Sequence, residues 1–213
     1  MIADEPSARH WLAQLPEWDS LAAERLARLI SLLAEENQRQ NLVSRESLAD
    51  VWRRHIADSA QLLIHVPRET SAPWLDLGTG AGFPGLVIAC LRPELDIRMV
   101  ESRNRRIEWL ERARAILALD QARVIGSRLE LVEPFPAAAI SARAFAPLDK
   151  LLDLSARFST AATRWLLPKG RSAGDELLSL RGWQHLFHVE QSLTDPAAGV
   201  IVGTLSGKSG KRR

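Results

Sequence analysis

The segment Trp74-Leu75-Asp76-Leu77-Gly78-Thr79-Gly80-Ala81-Gly82-Phe83-Pro84-Gly85 constrains this chain more than any other. A short apolar stretch runs into a turn carrying three glycines. A proline follows, and proline suits the first turn of a helix. Glycine lets a backbone take positive φ and approach a ligand closely. Strand, glycine turn and helix in that order belong to an open α/β sheet. Ligands of such sheets bind at the carboxyl ends of the strands, where the strand order switches.

The residues around the turn narrow the ligand. Gly80 to Gly85 fits G-x-G-x-x-G, a pattern shared with dinucleotide sites. Two features oppose a dinucleotide. The strand ends at Gly78, so that pattern starts one step late. Asp76 would also stand near a pyrophosphate and repel it. S-adenosylmethionine has no phosphate, and its sulfonium and amino group are cationic, so a carboxylate there is favourable. Glu101, at the end of the next strand, is placed to accept from ribose hydroxyls, as an acid about twenty residues past such a turn does for either kind of adenosyl cofactor.

The remaining organisation agrees with such a sheet. From Pro67 onward, apolar runs at 74–77, 97–101, 124–126, 137–142 and 164–167 alternate with helical stretches at 82–91, 104–119 and 148–158. That alternation predicts a parallel sheet with right-handed crossovers. The runs at 186–193 and 200–205 are separated by Thr194-Asp195-Pro196-Ala197-Ala198-Gly199, too short for a crossover helix. They predict a hairpin and an antiparallel strand.

The first ~65 residues are helical in pattern. Pro16, Asp19 and Ser20 precede an apolar stripe of Ala22, Leu26, Leu29, Ile30 and Leu33. Ser47 with Asp50 resembles a capping box opening a second helix to about His65. On its apolar face His55 and Ser59 interrupt the stripe, with Asp58 beside them. Buried polar groups need partners. Whether these three cap a pocket or are satisfied core residues stays open.

The fold class expected is therefore α/β, a doubly wound, mostly parallel sheet with one antiparallel strand and an N-terminal helical cap. Residues 1–66 form the cap, 67–205 the ligand-binding domain and 206–213 a basic tail. With 213 residues, 46% of them hydrophobic, the chain can bury a core without staples. The one cysteine, Cys90, lies in an apolar run and reads as core; no intramolecular disulfide or thiolate metal cluster can be built from it. No metal-ligand spacing stands out, so no metal is expected. The first residues lack the apolar stretch of a signal peptide, and no apolar run approaches the ~20 residues of a membrane span. A cytoplasmic monomer that does not engage membrane is expected.

Net charge is only +2, but the basic residues cluster. Arg103, Arg105, Arg106, Arg112 and Arg114 crowd one stretch, Arg53, Arg54 and His55 another, and Lys208 to Arg213 a third. Such clusters can meet phosphates. Beyond the third strand, Leu129 could wall an adenine pocket and Glu130 accept from the adenine amino group. Beyond the fourth, in Ser141-Ala142-Arg143-Ala144-Phe145-Ala146, Arg143 suits a cofactor carboxylate or an RNA phosphate. Phe145 suits base stacking or core.

Taken together, these segments resemble the RsmG (GidB) family of bacterial 16S rRNA guanine-N7 methyltransferases. The resemblance rests on Asn41-Leu42-Val43-Ser44, Arg54-His55-Ile56 with Asp58-Ser59, the full run Asp76 to Gly85, Arg92-Pro93, Ser127-Arg128 with Glu130, Ser141 to Ala146 and Lys169-Gly170. It implies a class I methyltransferase sheet under a helical cap, with S-adenosylmethionine contacts at Gly78, Phe83, Leu129, Glu130 and Arg143. Gly80 and Glu101 join that set from the turn and the second strand. The chain departs from the family in having Glu101 where Asp is common, Arg103 where leucine is common, and no basic residue before its last strand.

The implied activity is methyl transfer to N7 of a guanine in 16S rRNA or a small-subunit particle. Guanine N7 carries an in-plane lone pair and no proton, so no general base is nominated and positioning should dominate. The same residues admit a methyltransferase for a small molecule or protein, or a non-catalytic RNA-binding module. A nicotinamide dehydrogenase is disfavoured by Asp76 and by the missing second mononucleotide unit.

Overall fold

A computed structural model describes residues 1–70 and 73–208. The part of the expected basic tail from Ser209 onward lies outside the described residues.

Four helical segments precede the sheet. Helix α1 (Glu5–Leu12) opens on a reciprocal cap, with Asp4 accepting from the Ser7 amide and Ser7 Oγ from the Asp4 amide. Helix α2 (Ser20–Asn37) opens at Asp19, whose carboxylate accepts from the Ala22 amide at 2.7 Å. Its buried face is Ala22, Leu26, Leu29, Leu32 and Leu33, the spacing of one helical stripe.

The next helix departs from expectation. Helix α3 (Arg45–Ala49) is capped by Ser44, not Ser47, because Ser44 Oγ accepts from the Ser47 amide. Asp50 pairs with Arg53 and cannot complete a capping box. The chain then winds as a π-helix over Trp52–Ala57, a short α4 (Asp58–Ala60) and a 3₁₀ turn over Gln61–His65. Ser59 is buried inside this run and donates to the His55 carbonyl at 2.6 Å.

The sheet follows in alternating order: β1 (Trp74–Leu77), α5 (Gly85–Leu91), β2 (Ile97–Glu101), α6 (Asn104–Ile116), β3 (Arg123–Gly126), β4 (Ala139–Ala142), α7 (Leu148–Ser155), β5 (Arg164–Lys169), α8 (Ala173–Ser179), β6 (Trp183–His185), β7 (His188–Gln191), β8 (Gly199–Gly203) and β9 (Leu205–Lys208). Seven strands pair in the order β3-β2-β1-β4-β5-β8-β7. The pairs among β1 to β5 are parallel, and β8 is antiparallel to both neighbours. The expected hairpin is β7–β8. Every residue of β1, β4 and β8 is buried, as in strands covered on both faces.

The small second sheet, β6 with β9, was not expected. Residues 206–208, assigned to the tail from sequence, belong to β9, and Lys208 pairs with Asp153.

One apolar cluster joins α1, α2 and the π-helical run to α5, α6 and one face of the sheet. A second lies on the other face around α7, with Trp165 and Phe158 at its centre. The strand order turns between β1 and β4, so both strands deliver their carboxyl ends, Leu77 and Ala142, to the same edge of the molecule.

Candidate functional site

The site is built on the turn leaving β1. Gly78 and Gly80 have φ of +59° and +60°, and Gly82 and Phe83 donate their amides to the Thr79 carbonyl. Asp76 fixes this loop from inside. Its carboxylate is fully buried and accepts from Thr79 Oγ1, from the Gly85 amide at 3.0 Å and from Ser141 Oγ at 2.7 Å. Ser141, on β4, is itself held by Trp74 Nε1. Burial pushes the Asp76 carboxyl up to about 6 against the pull of Thr79, Ser141 and Gly85.

This corrects the expectation that Asp76 faces a cationic ligand. Its oxygens are occupied by the protein, and its work is to tie the loop to β4 and to the start of α5. Thr79 and Ser141 were missed from sequence, because only the pairing of β1 with β4 sets Ser141 beside Asp76.

Glu101 ends β2, is 6% exposed and turns toward the same loop. Oε2 accepts from the Gly80 amide at 3.1 Å, while Oε1 accepts from the Ser102 and Arg103 amides. Arg106 stands 3.8 Å from Oε2. Gly80 and Glu101 are thus brought together. Around Gly80 a Cβ would meet only ordinary van der Waals contacts, the nearest being Arg106 Nη1 at 3.5 Å. Gly78 is covered instead. A Cβ there would lie 2.4 Å from Phe145 Cδ2, so the half-buried Phe145 ring rests directly on the backbone of the turn.

Leu129 and Glu130 sit on a 3₁₀ turn after β3. Leu129 is buried in the cluster that includes Leu75, Leu77 and Val100. Glu130 is exposed and pairs with Arg128 at 3.3 Å; its own amide, and then Arg128, hold its carboxyl below the usual range.

Arg143, leaving β4, meets the helical cap. Nη1 lies 3.3 Å from Asp58 Oδ2 and 3.4 Å from the Arg54 carbonyl, and Nη2 lies 3.2 Å from His55 Nδ1. Its guanidinium carbon stands 5.2 Å from the Phe83 ring centre, and the His55 ring stacks on Phe83 at 4.8 Å and 10°. Asp58 Oδ1 accepts in turn from Thr194 Oγ1 at 2.8 Å and from Gln61 Nε2 at 3.0 Å. Phe83, His55, Arg143 and Asp58 therefore form one group drawn from three distant parts of the chain. The sequence marked His55 and Asp58 as polar residues on an apolar face, but not the partner that satisfies them.

Beside this group opens a cavity of about 790 Å³, lined by Arg54, His55, Arg143, Phe145 and Lys169 and by hydroxyls that include Ser44, Ser192 and Thr194. Lys169 is held by Glu176 and by the Ala146 carbonyl. Among the described residues no group of three or more His, Cys, Asp or Glu is placed to hold a metal ion, and no helix is long and apolar enough to cross a membrane.

The family model described as rRNA small subunit methyltransferase G matches residues 22–195. The chain is 59% identical to Ribosomal RNA small subunit methyltransferase G of Novosphingobium aromaticivorans over 207 residues, covering 96% of this chain and 90% of that protein. It is 57% identical to the protein of the same name from Erythrobacter litoralis over 204 residues, covering 95% and 97%. Among solved structures, a mutant MtNAS in complex with S-adenosylmethionine aligns over 95% of this chain and 84% of its own, with a TM-score of 0.59 at 15% identity. At that identity the likeness speaks to the fold, which is the class I methyltransferase architecture.

Proposed function

The chain belongs to the rRNA small subunit methyltransferase G family, and from that premise we propose that it methylates N7 of a guanine in 16S rRNA with S-adenosylmethionine as the donor. Membership makes it a methyltransferase acting on rRNA. The observation that carries the finer reading is the convergence of the Gly78–Gly80 loop, Glu101 and Arg143 at the carboxyl ends of β1, β2 and β4, beside a cavity with basic and hydroxyl walls.

The residues fit the cofactor. Glu101 Oε2 keeps acceptor capacity for a ribose hydroxyl after its bond from Gly80. Gly80, whose lack of a side chain keeps the backbone bare beside Arg106, would let a ligand approach the turn. Gly78 and Phe83 border the same loop, Leu129 walls the adenine side, and Glu130 accepts from the adenine amino group. Arg143 pairs with the carboxylate through its fork. Bound there, the cofactor supplies a methyl group on a cationic sulfur.

The protein's part is to place N7 in line with that methyl group. The Gly78–Gly80 loop, Glu101 and Arg143 would hold the cofactor, whose methyl group would be supplied to the in-plane lone pair of N7. No proton is removed in the transfer, so no side chain acts as base. N7 must be presented free of competing donors, which requires an unpaired or extruded nucleotide. Phe145 and the cavity walls at Arg54 and Lys169 stand where such a base and its phosphates would lie. The chain does this in the cytoplasm and as a monomer.

The test is transfer of labelled methyl from S-adenosylmethionine to small-subunit rRNA, naked and as ribonucleoprotein, followed by strand cleavage chemistry selective for N7-methylguanine. A single cleavage site is the expected result. Tight cofactor binding with transfer to neither RNA form would overturn the substrate assignment.

A further inference from the structure

We propose that His55 is a positioning residue, whose Nδ1 accepts from Arg143 and, together with Asp58, sets the guanidinium plane that receives the cofactor carboxylate. The inference rests on the assignment of Arg143 to that carboxylate.

A guanidinium can only donate, so the 3.2 Å contact from Arg143 Nη2 makes Nδ1 of His55 the acceptor and places the ring proton on Nε2. Nε2 is buried and has no hydrogen-bond partner among the described residues. A buried histidine with an idle donor is unusual. The contacts the ring does make are through its other nitrogen and its flat face, which lies 4.8 Å from Phe83. His55 is 7% exposed. Burial, then Arg143 and Arg54, lower its pKa to about 3, so it stays neutral and able to accept. A cationic imidazolium would repel Arg143 and offer it no lone pair.

The two Nη atoms of Arg143 are thereby assigned. Nη1 is held by Asp58 and the Arg54 carbonyl, Nη2 by His55. The ion pair alone fixes only one corner of the fork; the histidine fixes the second and so sets the plane. Both N–H groups of Nη1 are taken up in this way; Nη2 keeps one N–H and Nε its own, two donors for a ligand carboxylate.

The test compares three variants on two ligands. S-adenosylhomocysteine carries the amino acid end; methylthioadenosine keeps the adenosine and sulfur and lacks it. His55→Phe keeps the ring against Phe83 and removes the acceptor. His55→Asn keeps an acceptor near the Nδ1 position. Losing one hydrogen bond that orders a charged group corresponds to about tenfold in affinity. By calorimetric titration, His55→Phe should weaken S-adenosylhomocysteine about tenfold and leave methylthioadenosine within about threefold, and His55→Asn should restore most of the loss. Equal weakening of both ligands by a folded His55→Phe, or His55→Asn as poor as His55→Phe, would overturn the proposal. Arg143→Ala is the control for the premise. If it fails to separate the two ligands, the carboxylate assignment itself is wrong; if it separates them and His55→Phe does not, only the role of His55 falls.

Discussion

Asp76 shows how a single residue can be conspicuous in a sequence for one reason and used in the structure for another. Its position before the glycines suggested a charge facing a ligand, yet it is buried under Thr79, Ser141 and Gly85. An acid whose folded pKa lies above its unfolded value stabilises the fold most when protonated. That contribution is present below about 4 and lost as pH rises through about 6. The rise from 3.8 to about 6 corresponds to ~3 kcal/mol. Denaturant unfolding of the parent and Asp76→Asn, compared at pH 4 and pH 7.5, should show the parent's relative stability falling by up to that amount; an unchanged difference would contradict the assignment. Gly78 offers a second check. Alanine there meets both a left-handed φ, at ~1–2 kcal/mol, and the Phe145 ring, so Gly78→Ala should unfold more readily and bind S-adenosylmethionine at least tenfold more weakly.

Whole elements were legible where a single pattern sufficed. The strands β1, β2 and β5 and the β7–β8 hairpin follow from apolar runs and the Asp195-Pro196 turn. The π-helical winding at Trp52–Ala57 did not follow, because apolar spacing cannot distinguish it from an α-helix over six residues. Nor did β6 with β9, short strands that pair with each other across the intervening β7–β8 hairpin and carry no apolar run of their own. The 3₁₀ turn after α4 carries Gln61, which is 2% exposed and joins the cap to the β7–β8 turn. Its Oε1 accepts from the Leu193 amide at 2.9 Å, and its Nε2 donates to Asp58. Gln61→Leu would leave that half-buried amide without its acceptor and remove a donor from Asp58. A loss of ~2–4 kcal/mol is expected for two such groups, seen as a lower midpoint in thermal unfolding with the far-ultraviolet spectrum of the folded protein retained.

For the whole molecule, the turn, Glu101 and Arg143 were readable from order along the chain, while their connections were not. Arg143 lies 85 to 88 residues from Asp58 and His55, and no local pattern spans that distance. Charge distribution is likewise a property of the assembled surface. Net charge is +2, but Arg103 and Arg105 are exposed and make no ion pair among the described residues. If they meet RNA phosphates, Arg103→Ala with Arg105→Ala should flatten the dependence of log affinity on log salt by roughly 1.5. A slope equal to the parent's would place RNA on another face.

The apolar cluster that joins the first helices to α5 and α6 bears on how such a protein can be re-engineered. Leu26, Leu29 and Leu33 share one continuous interior with Leu86, Val87, Ile88 and Trp109. The cap has no core of its own, and the sheet's face is not finished without it. A chimera that moved residues 1–66 onto another class I sheet would carry half of a seam. To fold, it would have to bring α5 and α6 as well, and with them the turn that Asp76 holds. In this architecture the smallest transplantable unit is nearly the whole chain.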